Sequence, residues 1–127
     1  MSISMEEFNA KSFEQIVDEK LGASYLYGEG RKYIMLRGVK VWKTPAERDN
    51  YLMTLQSAKR LGQSEVMFMG VSLPIDTAIT IIDAANVYAY AVTTAMETHE
   101  ANIKALGSIE TVEAYDFTAG YPAILEF

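Results

Sequence analysis

Glu97-Thr98-His99-Glu100 places the single histidine of this 127-residue chain between carboxylates, a grouping that in other settings holds zinc or moves protons. A zincin helix requires HExxH, and the position four residues after His99 is Ile103, so that motif is incomplete. With one histidine and no cysteine, multi-histidine metal sites, thiolate catalysis, cysteine-ligated zinc and disulfides are excluded. Gly28-Glu29-Gly30-Arg31-Lys32 offers a glycine loop with adjoining cations for phosphate, yet a P-loop needs GxxxxGK[ST] and a dinucleotide fingerprint a third glycine opening a helix. Here "YIML" follows and reads as strand, so a hairpin turn is the simpler meaning. No GxSxG elbow exists to present a serine to His99. Seventeen acids always allow some carboxylate pair, but Glu7, Glu47, Asp76 and Glu110 fall in expected first helical turns, where negative charge is favourable. No catalytic residue, metal ligand or cofactor site follows from these residues.

The elements that position these groups are legible in part. Ser4-Met5-Glu6-Glu7 fits a capping box that opens a helix carrying Met5, Phe8, Phe13, Ile16 and Val17; Ser12 and Gln15 form a second box that could divide it, and Gly22 is its natural stop. From Ser24 the period changes to short aromatic and β-branched blocks, predicting a three-stranded antiparallel meander near 23–27, 31–36 and 39–43. Thr44-Pro45-Ala46-Glu47 combines N-cap, first-turn proline and capping glutamate, so a helix over 45–61 is expected, with Tyr51, Leu52, Leu55, Ala58 and Leu61 inward. A strand over Glu65–Val71 follows, its methionines read as core filling.

After Pro74 nothing stops a helix before Gly107. Ala78, Ile82, Ala85, Ala89, Val92, Met96, His99, Ile103 and Leu106 recur at steps of four and three, a seam of coiled-coil type. Such a helix is on the order of 50 Å long, beyond the roughly 30 Å of a compact domain this size, so it either projects and packs on another chain or bends near Asn86 into two helices. On that seam His99 is a packed or inter-chain histidine; if copies meet there, protonation near neutral pH weakens the assembly. Ser108 opens a short helix, about 109–115. Val112, Tyr115, Asp116, Gly120, Tyr121 and Pro122 then form a C-terminal clasp, with "AILEF" free to lie as an edge strand or insert into a neighbour. The expected fold class is α+β: a small antiparallel β-meander with helices, dominated by one long C-terminal helix and a short terminal one. It makes one domain over 1–127, with 1–22 helical, 23–43 the meander, 44–122 an α-rich part with one strand, and 123–127 a tail.

Seventeen acids against eleven bases give a net charge of −6, which argues against nucleic acid as partner. Arg31, Lys32, Arg37, Lys40, Lys43 and Arg48 are opposed locally by Glu47 alone, a local +5 that leaves −11 on the remainder. These charges either orient a partner, including another copy, or point from alternating strand positions into water. The stretch Gly70 to Met96 is broken by Asp76, Asp83 and Asn86 and is a poor bilayer span, and "MSISMEEFNAKSFEQ" has no secretory pattern. A soluble, unexported chain with no membrane partner is expected.

From Gly38 onward the order "GVKVWKTPAERDNYLMTLQSAKRLG", "VMFMGVSLPIDTAITIIDA", a long helix with "HEANIKAL" and the ending "SIETVEAYDFTAGYP" resembles an uncharacterised domain of bacteriophage tail-fibre and tail-fibre-assembly proteins. The matching positions are Gly38-Val39, His99, Ile103, Val112, Glu113, Asp116, Gly120, Tyr121 and Pro122, over about residues 38–122; residues 1–37 have no counterpart. The resemblance implies a Gly-Val strand leading into a helix, a short strand pair supporting a long histidine-bearing helix, and a short helix ending in an acidic-aromatic-Gly-aromatic-Pro signature. It brings no catalytic residues. It implies a phage virion or virion-assembly role. Taken with the apolar seam, the charged stretch and the missing catalytic motifs, the leading expectation is a non-enzymatic virion component of the tail or fibre, made in the host cytoplasm, homo-oligomeric and in contact with other phage structural proteins. A tail-fibre assembly chaperone absent from the finished particle is the second reading, and a glycan- or ligand-binding module using Trp42 and the tyrosines a third.

Overall fold

The computed structural model describes residues 11–127. The Ser4 capping box, Met5 and Phe8 lie outside the described residues. The architecture is α+β: α1 (Phe13–Gly30), β1 (Ile34–Leu36), β2 (Val39–Val41), α2 (Pro45–Arg60), β3 (Glu65–Phe68), β4 (Val71–Pro74), α3 (Ile75–Lys104) and α4 (Ile109–Ala114). The chain divides into two compact units: the described residues up to Gly30 with Thr93–Tyr121, and Arg31–Val92 with Pro122–Phe127.

In the first unit, the second capping box starts α1. The Gln15 amide donates to Ser12 Oγ at 3.1 Å, while the Ser12 amide donates to Gln15 Oε1 at 2.9 Å. The helix does not stop at Gly22, and the strand expected over 23–27 is its last part. The aromatic spacing misled because the buried face of this segment is made of small residues: Ser24 and Gly28, one turn apart, are its buried positions, whereas Tyr25 and Leu26 are exposed. A Cβ at Gly28 would collide with the Met96 side chain, so glycine there allows the close approach of α1 to α3. Helix α4 packs on α1 and is capped by Ser108, whose Oγ accepts the Thr111 amide at 3.2 Å.

In the second unit, β1 and β2 form an antiparallel hairpin pairing Ile34 with Val41 and Leu36 with Val39. Its two turn residues, Arg37 (φ 51°) and Gly38 (φ 81°), both take positive φ, as a tight two-residue hairpin of right-handed twist requires. The single strand expected over 65–71 is instead half of a second hairpin. Met69 (φ 49°) and Gly70 (φ 83°) turn the chain, and β3 pairs with β4 from Glu65–Pro74 to Phe68–Val71. Alternation then turns Phe68 inward and leaves Met67 exposed, so Met67 is not core filling. The expected three-stranded meander is thus reduced to the β1–β2 hairpin, and the second hairpin arises where a single strand over 65–71 was expected. At the cap of α2, the Glu47 amide donates to Thr44 Oγ1 at 3.2 Å and the Thr44 amide to Glu47 Oε1 at 3.0 Å. Leu55 is the helix's buried apolar residue, and Leu61, expected inward, is its exposed C-cap.

Helix α3 is one uninterrupted run of 30 residues and does not divide at Asn86 into two helices. Its positions Ala78, Ile81, Ile82, Ala85, Tyr88 and Val92 join Ile34, Leu36, Leu55, Phe68 and Leu73 in the core of the second unit. Ile103 and Val112 are fully buried in the first unit. Among the described residues no helix is long and apolar enough to cross a membrane.

Candidate functional site

His99 is the centre of the first unit's polar interior. It projects from α3 and is buried, with both ring nitrogens engaged. Nε2 lies 2.6 Å from the Ala119 carbonyl, which can only accept, so Nε2 carries the proton. Nδ1 lies 2.6 Å from the Tyr115 hydroxyl, whose oxygen already accepts from Asn102 Nδ2 at 3.1 Å. In the Nε2–H tautomer Nδ1 is left to accept the tyrosine proton, and the two bonds fix the orientation of the ring. The ring stacks on Tyr121 at 5.6 Å and meets Tyr115 edge-on at 5.5 Å. Tyr27 of α1 adds its edge to Tyr121 at 5.3 Å.

The loop after α4 is shaped around this ring. Thr118 donates to Asp116 Oδ1 through its amide, at 2.9 Å, and through its hydroxyl. These two bonds hold the Asp116 carboxyl below the usual carboxylate range, with smaller help from His99 and Lys20. Gly120 supplies the positive φ of 81° that turns Tyr121 back onto His99. Lys20 of α1 donates to the Glu113 carbonyl at 3.0 Å, and its ammonium lies 5.5 Å from the Phe117 ring centroid. Chemically, the arrangement binds the chain to itself. His99 has no nitrogen left for a substrate or a metal, and among the described residues no three His, Cys, Asp or Glu side chains group to hold a metal ion.

A second polar cluster lies in the other unit. Arg48, expected among the solvent-facing charges, is buried: its Nε donates to Asn86 Oδ1 and its Nη1 to the Lys43 carbonyl, both at 2.6 Å. Its guanidinium lies 5.0 Å from the Trp42 ring centroid, and Trp42 meets Tyr88 edge-on at 6.4 Å. Burial lowers the Arg48 pKa and raises that of Tyr88, whose hydroxyl donates to the Arg31 carbonyl. Arg31 in turn donates through Nη2 to the Pro122 carbonyl at 2.6 Å. Arg31 and Arg48 therefore serve the interior. Lys32 and Lys43 are half-buried, while Arg37 and Lys40 remain exposed, Lys40 lying 4.1 Å from the Tyr33 ring centroid. Trp42 is committed to Arg48 and Tyr88 and is not a free stacking platform.

The seam is also occupied from within. Ala78, Ile82, Ala85, Val92, His99 and Ile103 are buried in the single chain, and Ala89, Met96 and Leu106 are half-buried. Of the residues predicted for the clasp, Val112 is fully buried, Tyr115 and Tyr121 pack on His99, Asp116 accepts from Thr118 and Gly120 turns the loop, whereas Pro122 belongs to the other unit, where its carbonyl accepts from Arg31. Sequence reasoning missed Ser24, Gly28 and Tyr27 opposite them, for which the one available signal was the small-residue spacing of four. Asn86 and Asn102, as partners of Arg48 and Tyr115, carry no local signal at all. No family model, curated protein or solved structure matches this chain.

Proposed function

We propose that the chain is a non-enzymatic structural component of a bacteriophage particle, associated with the tail or its fibres, that works by self-association and by contact with other virion proteins. The observation that carries this reading is the use made of the signature residues. His99, Ile103, Val112, Asp116, Gly120 and Tyr121, which bear the resemblance to the tail-fibre domain, are spent on closing the fold. Function then falls to the surface. Large apolar side chains stand exposed on both units: Tyr25 and Leu26 on α1, and Leu61, Met67, Val87 and Tyr90 on the other, with exposures from 59% for Tyr25 to 86% for Leu61. Such residues favour contact with another protein where they gather. Mass spectrometry of particles purified from an infected culture tests the reading. The chain is expected at stoichiometric levels in the particle. Its presence in the lysate but absence from finished particles would assign it to assembly instead, as a fibre chaperone.

A further inference from the structure

The closing residues occupy a place that a second chain can also fill. The Met35 amide donates to the Leu125 carbonyl at 2.8 Å, the Phe127 amide to the Met35 carbonyl at 2.8 Å, and the Arg37 amide to the Phe127 carbonyl at 2.9 Å. Met35 faces Glu126 in a parallel bridge, so the tail lies along the edge of β1 that β2 leaves open. Lys40, Met35 and Glu126 follow one another across this sheet, with the base and the acid on either side of the methionine. Phe127 lines an open, almost wholly apolar groove of about 330 Å³ with Leu36, Leu73 and Ile81, and stays 40% exposed. The groove is thus underfilled, and the aromatic ring forgoes part of its packing. Three backbone bonds, the Arg31 bond to the Pro122 carbonyl and one half-seated ring hold a short, detachable strand, and the positive-φ Gly120 precedes it.

We propose that the open edge of β1 is a strand-exchange site and that its occupant in the assembled state is the closing segment, residues 122–127, of a second copy of this chain. The segment that fits the edge is the one seated there. In trans it makes the same hydrogen bonds and places the same phenyl ring in the same groove, so exchange changes the connectivity and leaves the contact chemistry intact. The tethered tail competes at an effective concentration on the order of millimolar, so exchange belongs to concentrated or many-copy states. This inference deepens the self-association proposed above and rests on it, naming the strand that would join the copies.

The absence of native cysteine makes the test direct. In the double variant Met35→Cys/Glu126→Cys, oxidation of dilute protein should close an intrachain disulfide, showing that both cysteines are tolerated and that the tail is seated. The two single variants, Met35→Cys and Glu126→Cys, are then mixed at high concentration, cycled through mild denaturant and oxidised. A mixed disulfide dimer in excess of random pairing, suppressed by a synthetic peptide of residues 122–127, is the expected result. Mixed dimer at or below random pairing overturns strand exchange. If in that case the unmodified chain still sediments above its monomer mass, self-association stands without this strand; if it sediments as a monomer, both proposals fall together.

Discussion

At the scale of single residues, the protein is organised by side chains that satisfy one another. Tyr115 is the hinge of the His99 network, because its hydroxyl accepts from Asn102 and donates to Nδ1. Tyr115→Phe keeps the ring and removes both bonds, leaving a largely buried imidazole nitrogen unpaired. A loss of about 1–3 kcal/mol in urea unfolding is expected, together with a change in the His99 ring nitrogen shifts. Asp116 gives a pH-dependent counterpart. Its folded pKa lies below its unfolded value of about 4, so its contribution is present above that value and fades as pH falls through the lowered folded one. Thr118→Val removes the hydroxyl donor and leaves the amide. The Asp116 carboxyl, followed by NMR titration, should move back up toward the usual range, and an unchanged titration would show that the hydroxyl is irrelevant. The long-range pairings among these could not be read in advance. The chain announces Asp116 and Thr118 as a turn, but nothing local says that His99 sits beneath Tyr121 or that Arg48 is drawn inside by Asn86, 38 positions away.

At the scale of elements, legibility followed locality. The capping boxes at Ser12 and Thr44 and the long run of α3 obey rules that act within a few residues, and α1 and α2 start at those two boxes. Two elements were misread for opposite reasons. The extension of α1 through 23–30 buries small residues, which carry no hydrophobic signal, and the second hairpin hides its turn at Met69-Gly70, where a non-glycine residue takes positive φ. The glycines of α1 give a paired test. A methyl group added at Gly22 would meet nothing within 4 Å, so Gly22→Ala should stabilise the helix by about 1 kcal/mol. Gly28→Ala carries the same propensity gain but drives its methyl group into Met96, and overpacking of about 1–3 kcal/mol should make it destabilising. Thermal unfolding of the two variants reads the opposite signs. In the first hairpin, Arg37 is an exposed non-glycine residue at φ 51°. Arg37→Asn should raise the midpoint, because asparagine tolerates the left-handed region that costs other residues roughly 1–2 kcal/mol.

At the scale of the whole molecule, the chain passes between its two units at Gly30–Arg31, Val92–Thr93 and Tyr121–Pro122, so the closing stretch serves both. Tyr121 stacks on His99 in one unit, and the residues from Pro122 onward complete the sheet of the other. Deleting Ala123–Phe127 should speed hydrogen exchange at the Met35 and Arg37 amides and leave the His99 network protected; extending the deletion to Tyr121 should loosen both. The apolar repeat of α3 suggested an assembly seam, but those positions are taken up by the two cores, which moves the expected association surface to the exposed side chains and the tail strand. If that surface brings copies of the chain together, sedimentation velocity of the purified protein over a wide concentration range will register it. The mass-average should climb above the 14.2 kDa of one chain as concentration rises, and a single species of that mass at every concentration would contradict self-association.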